Sequence, residues 1–299
     1  MPVIGIEIGG TKLQVGVGEA TGTLVCLVRR AVEPARGASG IRRMLVEMVA
    51  QALAEAGVDR REVGGIGIGF GGPYDCTHER VVRSFQIEGW TGFPLRQWAE
   101  EQWGAPVMVR NDAAVAGLGE ALRGAGHGCR RVFYLGQGIG AAEIGHTWAP
   151  DPESGQLMEL EQICSGWSIG RRARKVVEPA SRMAVLAGSV DAIDAAVVYA
   201  AAEQGDVMAQ SLLRVTAETL GFARGNMATL LHPELIVIGG GVSKMGALLW
   251  EPLREATLRR VMAPFAAGVR IEPALLGDAV VVVGGCCLAD QPFLPVSVP

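Results

Sequence analysis

The sequence lacks any run of about 18 or more consecutive apolar residues, so it offers no candidate membrane span. No basic segment followed by an apolar run stands at its start, so we expect no signal peptide and a cytoplasmic protein. The net charge of −4 and the pI near 5.7 argue against nucleic acid as the main partner. What remains is a globular protein of 299 residues, enough for about two domains.

Cysteine patterns typical of metal sites and disulfides are scarce: Cys286 and Cys287 are adjacent and could form a metal or redox pair, but packing is the favoured interpretation. The six cysteines show no Cys-x-x-Cys spacing, so we expect reduced and mostly buried thiols. Aromatic residues make up only 5% of the chain, whereas glycine is abundant, with 42 residues. Several of these glycines stand directly after short apolar stretches, where the chain can turn tightly. The informative positions are therefore glycine turns that follow predicted strands.

The N-terminal residues 3–30 form three short apolar segments joined by tight turns, which predicts an antiparallel meander. The first turn, GGTK at 9–12, could direct backbone N–H groups at a phosphate, although many such turns bind nothing. A helical period over 41–56 follows, and then a glycine-rich apolar strand over 63–70. This order of elements is typical of an α/β protein.

The segment 109–146 combines three features expected of an active site. A strand at 107–109 runs into Asn111-Asp112, where Asp112 is either the N-cap of the next helix or a functional carboxylate at a strand end. A second strand, at 132–135, runs into the loop GQGIG, and Glu143 and His146 follow closely. Residues 147–158 are polar, and we predict an irregular segment there.

The second half of the chain repeats the pattern of a glycine turn after a strand. A buried strand at 234–238 is followed by Gly239-Gly240-Gly241 and a helix, an arrangement that could contact a nucleotide. Residues 278–289 are ambiguous, because four valines favour a strand while the spacing of small residues favours a helix; we predict a helix. Two α/β halves with a cleft between them would suit a nucleotide and a substrate.

The order of these motifs resembles that of the sugar-kinase branch of the ROK family (repressor, open reading frame, kinase). The similarity runs from Val3 to about Ala289, over the motifs IGIEIGGTK, GIGIGFGGPYD, VRNDAAVAGLGEALRGAG, LGQGIG, AAEIGH, ELEQICSGWSIGRRAR and PELIVIGGGVS. The resemblance implies an α/β, two-domain actin-like ATPase (ribonuclease H-like) fold, with mixed sheets flanked by helices and a central cleft. We expect an N-terminal domain over 1–110, completed by a C-terminal helix at about 280–299, a larger domain over 111–279, and a homodimer.

The resemblance also implies ATP-dependent phosphorylation of a hexose, with glucose the expected sugar, at the 6-hydroxyl. Asp112 would be the general base. The other sugar hydroxyls would be held by Asn111, Glu143, His146, Glu161 and Gln86. ATP and Mg²⁺ would be held by Glu7, Gly9, Gly10, Thr11, Lys12, Gly136, Gln137, Gly138, Gly240 and Gly241.

The chain departs from the family pattern at four places. Glu7 replaces the usual Asp of the first phosphate loop, and Gln137 replaces the usual Thr of the second. Many members of the family carry a zinc-binding cysteine cluster in the segment that corresponds to 147–164. Here that segment contains a single cysteine, Cys164, so we predict no structural zinc. Finally, only two alanines separate Gly140 from Glu143, where the family has a longer segment that forms a strand and a turn.

Three other functions compete with the kinase. A non-catalytic sugar- or nucleotide-binding relative is favoured by Glu7, Gln137 and the short link after Gly140. A transcriptional repressor is disfavoured, because the chain starts at the first phosphate loop with no helix-turn-helix ahead of it. A dehydrogenase is disfavoured, because no G-x-G-x-x-G motif opens a strand–helix unit.

Overall fold

The computed structural model describes residues 1–84, 87–135, 144–240 and 246–290. Its strands are β1 (Pro2–Ile8), β2 (Lys12–Glu19), β3 (Leu24–Ala31), β4 (Gly65–Phe70), β5 (Tyr74–Asp75), β6 (Arg80–Val81), β7 (Val107–Asn111), β8 (Val132–Leu135), β9 (Trp148–Pro150), β10 (Leu157–Glu159), β11 (Leu235–Ile238) and β12 (Arg270–Pro273). Its helices are α1 (Gly37–Ala56), α2 (Leu95–Trp103), α3 (Asp112–Arg123), α4 (Leu160–Cys164), α5 (Gly166–Val176), α6 (Arg182–Ala187), α7 (Ala195–Glu203), α8 (Val207–Leu231), α9 (Gly246–Leu258), α10 (Ala263–Ala266) and α11 (Val280–Ala289).

The chain divides into two compact units. Unit 1 comprises Met1–Gly128 and the described part of Leu275–Pro299, and unit 2 comprises Cys129–Ala274. Each unit has its own buried apolar core. Within the described residues, no helix is both long and apolar enough to span a membrane.

The sheet of unit 1 has the strand order β3-β2-β1-β4-β7. Strands β1, β2 and β3 are antiparallel, which confirms the meander predicted from the sequence. Strands β1, β4 and β7 are parallel, so the sheet is mixed. Helix α1 packs on β2 and β3, and α11 packs on β1 and β4.

Close packing of α11 explains the glycine-rich strand β4. A Cβ atom at Gly67 would overlap the carbonyl oxygen of Gly285, and one at Gly5 would overlap that of Val282. The helix therefore rests directly on the strand backbones, and only glycine leaves room for it. The segment 278–289, which was ambiguous in sequence, contains this helix, so the helix prediction is confirmed.

The boundary between the units lies at Gly128, whereas the sequence predicts it at residue 110. Helix α3 accounts for the difference, because it packs against α11 and belongs to unit 1. The buried Glu120 near the end of α3 holds the two segments of unit 1 that lie next to the unit boundaries in sequence. Its Oε2 accepts from Ala125 N at 2.8 Å and its Oε1 from Leu276 N at 2.8 Å. The chain accordingly returns to unit 1 at Leu275, whereas the sequence predicts residue 280.

Unit 2 repeats only part of the sheet of unit 1. Its strands β8, β11 and β12 are parallel, in the order β12-β11-β8, as β1, β4 and β7 are in unit 1. The described part of unit 2 contains no antiparallel strands beside β8 that correspond to β2 and β3. In the chain, such strands would follow β8, where the sequence has its short link.

The polar segment after His146 is a β-hairpin, so the prediction of an irregular segment over 147–158 is wrong. Strands β9 and β10 pair antiparallel, and Asp151 N donates to Gln156 O at 2.8 Å at the closed end. The carboxylate of Asp151 accepts from Ser154 N at 3.0 Å and from Ser154 Oγ at 2.6 Å. These turn contacts stabilise strands that are too short to give a clear alternating pattern.

Candidate active site

Three parallel strands of unit 1 end in one row. Ile8 at the end of β1 pairs with Phe70 at the end of β4, and Phe70 pairs with Asn111 at the end of β7. The residues that follow these ends must therefore lie side by side. Open α/β sheets bind ligands at the carboxyl ends of their strands. This edge of the sheet is consequently the place in unit 1 where a site is expected.

Asp112 lies at this edge, beside the first glycine turn. A Cβ atom at Gly71 would lie 3.4 Å from Asp112 Oδ2 and 3.4 Å from Gly9 Cα. Asp112 Oδ1 accepts a hydrogen bond from Ala113 N at 2.8 Å. The structure therefore brings the carboxylate predicted to be catalytic next to the turn predicted to hold phosphate.

Asn111, not Asp112, caps helix α3. Its Oδ1 accepts from Ala113 N at 2.9 Å and from Ala114 N at 3.3 Å, and its Nδ2 donates to Gly72 O at 3.3 Å. Both ends of the side-chain amide thus contact backbone. The alternative that Asp112 serves only as the N-cap is resolved, because its neighbour has that role.

The glycine turn at 9–12 is closed by a hydrogen bond from Gly9 N to Lys12 O at 3.1 Å. Lys12 Nζ lies 3.2 Å from Glu7 Oε2 and donates to Asp278 O at 3.2 Å, while 40% of its side chain stays exposed. An ammonium group next to exposed turn backbone suits an anionic ligand such as a phosphate. The carboxylates of Glu7 and Asp112 supply hard oxygens of the type that Mg²⁺ prefers.

Glu7 belongs to a row of polar side chains that runs across the meander. It pairs with Gln14 of β2, which pairs with Arg29 of β3. Gln14 is fully buried; its Nε2 donates to Glu7 Oε2 and, at 2.7 Å, to Asp278 O, and its Oε1 accepts from Arg29 Nε at 2.7 Å. Burial raises the pKa of the Glu7 carboxyl, and the charge of Lys12 opposes that shift.

Sequence reasoning missed Gln14. The available signal was a polar residue inside the apolar stretch Leu13–Val17, which a buried strand tolerates only where the side chain has partners. The longer side chain of Glu7, in place of the usual Asp, reaches this amide across the strand pair. The two positions therefore have to be considered together.

In unit 2, strands β8 and β11 also end together. Gly239 N donates to Leu135 O at 2.6 Å, and Gly240 has a φ of +78°, a left-handed conformation that favours glycine. The predicted second phosphate loop and part of the adenosine motif follow directly. Six predicted site residues of the chain lie outside the described residues: Gln86, Gly136, Gln137, Gly138, Glu143 and Gly241.

His146 and Glu161 lie in adjacent segments of unit 2. His146 ends the short 3-10 turn Ile144–His146, Glu161 lies in α4, and Leu160 N donates to Thr147 O at 2.8 Å between them. His146 Nδ1 lies 3.2 Å from Glu159 Oε2. The sequence predicted His146 and Glu161 as ligands of one sugar, and the structure places their segments together. It adds Glu159, which sequence reasoning missed because its strand was not predicted.

Comparisons with known proteins identify the family that this chain matches. The family model described as ROK family matches residues 3–292. A glucokinase from Halalkalibacterium halodurans is 31% identical over 313 aligned positions, which cover 96% of this chain and 94% of that protein. The crystal structure of a ROK family glucokinase from Streptomyces griseus, in complex with glucose and AMPPNP, is 33% identical, with a TM-score of 0.79 over 98% of this chain and 100% of that chain.

A ROK hexokinase from Thermus thermophilus has the same fold, with 26% identity and a TM-score of 0.76 over 97% of this chain and 98% of that chain. These likenesses confirm the predicted two-domain actin-like α/β fold. The alignment with the Halalkalibacterium glucokinase has 313 positions, which is more than the 299 residues of this chain, although it covers only 96% of them. That relative therefore has residues without a counterpart in this chain.

Proposed function

This chain belongs to the ROK family, and we propose that it is an ATP-dependent sugar kinase that phosphorylates glucose at the 6-hydroxyl, with Asp112 as the general base. The observation that carries the proposal is the position of the Asp112 carboxylate beside the glycine turn at 9–12. A base for a hydroxyl and a turn suited to phosphate thus occupy one edge of one sheet.

The chemistry requires little more than this arrangement. Phosphoryl transfer depends on positioning the reactants and neutralising charge, with little covalent work for the protein. Asp112 would accept the proton of the attacking hydroxyl as its oxygen bonds to the γ-phosphorus of ATP and the bond from that phosphorus to the leaving ADP breaks. Its place at the first turn of α3, next to the cap formed by Asn111, fixes the carboxylate on a rigid element.

Phosphate binding is assigned to the turn Gly9, Gly10, Thr11 and Lys12, which Gly9 N closes by donating to Lys12 O and to which Lys12 adds a part-exposed ammonium group. Mg²⁺ would accompany ATP and neutralise charge on its phosphates. Glu7 fits a role in holding that ion indirectly, because its carboxylate lies next to the turn while Gln14 and Lys12 fix its orientation. Gly240 is assigned to the adenosine side, and Gly136, Gln137, Gly138 and Gly241 remain predictions from the sequence.

The predicted sugar ligands that the structure describes are His146, Glu161 and Asn111. Imidazole and carboxylate groups suit sugar hydroxyls, which both donate and accept hydrogen bonds. Asn111 contributes chiefly by orienting the backbone that carries Asp112, because its amide already bonds to Ala113, Ala114 and Gly72. Gln86 and Glu143 remain predicted sugar ligands.

The test is an assay of ADP release with glucose, N-acetylglucosamine, mannose and fructose. We expect the highest kcat/KM with glucose, and a product in which NMR places the phosphate on the 6-position. A different preferred sugar would contradict the choice of glucose alone. Binding of ATP or sugar without turnover of any sugar would contradict the kinase and establish the non-catalytic relative that Glu7, Gln137 and the short link favour.

A further inference from the structure

The pair formed by His146 and Glu159 has a defined geometry in unit 2. His146 Nδ1 and Glu159 Oε2 are 3.2 Å apart, a hydrogen-bond distance. The two side chains are 39% and 33% exposed, so both stay accessible to solvent. His146 is a predicted sugar ligand, whereas Glu159 begins the motif ELEQICSGWSIGRRAR but was given no role, because the hairpin that brings it to His146 was not predicted from the sequence.

The backbone around the pair is held by several hydrogen bonds. Thr147 N donates to Ile144 O at 3.0 Å, and Leu160 N donates to Thr147 O at 2.8 Å. Glu159 faces Trp148 in the register of the hairpin. Its Cα is therefore fixed relative to the turn that carries His146, and the contact between the two side chains follows from this fixed backbone.

The hairpin is in turn fixed to the body of unit 2. Ala149 at its centre is buried, and β9 packs against α8. Glu153 in the connecting loop accepts a hydrogen bond at 2.6 Å from Nε of Arg172, whose side chain is buried on α5. Glu159 thus stands on a rigid support, which a residue that orients another side chain requires.

We propose that Glu159 is the positioning residue of His146. It accepts a hydrogen bond from Nδ1–H, which leaves Nε2 as the ring atom that accepts a hydrogen bond from a sugar hydroxyl. The inference rests on the proposed function, because it takes His146 as a sugar ligand.

The physical basis is the two-nitrogen chemistry of imidazole. In the neutral ring one nitrogen donates and the other accepts, and the partner of the first decides which is which. A carboxylate only accepts, so Glu159 selects the tautomer with the proton on Nδ1. An imidazole that is already oriented also loses less side-chain freedom when the sugar binds, so affinity for the sugar increases.

A double-mutant cycle on the KM for glucose tests the proposal. We expect Glu159→Ala to raise this KM about tenfold or more, while kcat and the KM for ATP change less than about twofold. Glu159→Gln, whose amide oxygen still accepts from Nδ1–H, should retain most of the affinity. In the background of His146→Ala, the further change Glu159→Ala should have no additional effect. An equal effect in both backgrounds, or no effect in either, would overturn the proposal.

A matched control removes an exposed ion pair elsewhere in unit 2. Glu218 binds Arg259 at 2.6 Å on the surface, so Glu218→Ala makes a similar change away from His146. We expect its KM for glucose to equal that of the wild type. A rise equal to that of Glu159→Ala would mean that any lost surface ion pair has this effect, and would overturn the specific role of Glu159.

A second measurement is independent of turnover. Long-range ¹⁵N–¹H NMR identifies the tautomer of each of the four histidines, and His146→Ala identifies the signals of His146. We expect the Nδ1–H tautomer in the wild type and loss of that preference in Glu159→Ala. An Nε2–H tautomer in the wild type would overturn the positioning role, whereas absence of turnover with any sugar would overturn the proposed function instead.

Discussion

The carboxylate of Glu7 accepts a hydrogen bond from the side-chain amide of Gln14, the residue that faces it across strands β1 and β2. Glu7 is 6% exposed and Gln14 is fully buried, so water does not replace this contact. The same amide nitrogen donates to Asp278 O at 2.7 Å, in the segment that leads into α11. Gln14 therefore connects the strand before the phosphate turn to the C-terminal part of unit 1.

Replacement of Gln14 by leucine should destabilise unit 1. The buried carboxylate of Glu7 and the carbonyl of Asp278 would each lose a donor, at a cost of about 2 kcal/mol or more. Urea unfolding followed by tryptophan fluorescence measures the loss. The control is Gln51→Leu, since Gln51 donates to Glu55 at 2.8 Å on the exposed face of α1. Equal losses for the two variants would show that the buried position of Gln14 is unimportant.

The charge of Glu7 should lower stability as the pH rises. Burial is the largest cause of the shift and raises the folded-state pKa above its usual value of 4.5, against the opposing effects of Lys12 and Gln14. A raised folded-state pKa gives stability that is present below the unfolded-state pKa and is lost as the pH rises through the folded-state value. The Tm of Glu7→Gln minus that of the wild type should therefore increase from pH 4 to pH 7. A difference that stays constant or decreases would refute the raised pKa.

Replacement of Gly67 by alanine should disrupt the contact between β4 and α11. The added methyl group would overlap the carbonyl oxygen of Gly285, which is backbone and has no rotamer to change. We expect a loss of about 3 kcal/mol or more in unfolding free energy, at the upper end for overpacked cores. In Gly268→Ala the new Cβ would lie 3.6 Å from Phe265 O, an ordinary contact, so this control should stay near the wild type. Wild-type stability of Gly67→Ala would contradict the close packing.

Restoration of a hydroxyl in the second phosphate loop should improve ATP binding. The family resemblance places a threonine where this chain has Gln137. One added hydrogen bond contributes about 1 kcal/mol, so Gln137→Thr should lower the KM for ATP about fivefold. Initial rates of ADP release at saturating glucose measure this change, with Gln51→Thr on the exposed face of α1 as the control. A KM for ATP that rises in Gln137→Thr would show that the loop of this chain uses the glutamine.

Much of unit 1 could be predicted from the sequence, because its glycine turns follow apolar strands in a regular order. The parallel alignment of β1, β4 and β7 then follows from the fold, and it brings Asp112 to the turn at 9–12. The contact of α11 could not be predicted in detail. Helix α11 lies directly on the backbones of β1 and β4, where Gly5 and Gly67 leave space for it, and that contact is a tertiary effect.

The polar contacts of the site were harder to predict. Gln14 meets Glu7 and Arg29 through strand register, and Glu159 meets His146 through a hairpin of two short strands. Register and hairpin pairing join residues that are separated in sequence, whereas composition and periodicity describe only local patterns. Asn111 shows the same limit, since the sequence left open whether Asp112 is the N-cap of α3 or a functional carboxylate, and Asn111 was not considered as the cap.

The role of Asp112 is the central claim, and the most direct test is kcat of Asp112→Asn with glucose and ATP. The asparagine keeps the shape of the side chain but cannot accept the proton, so kcat should fall by a factor of about 10² to 10⁴. Calorimetric titration should show a Kd for glucose within about threefold of the wild type, since only the transition state loses an interaction. A kcat close to that of the wild type would contradict the assignment of Asp112 as the base.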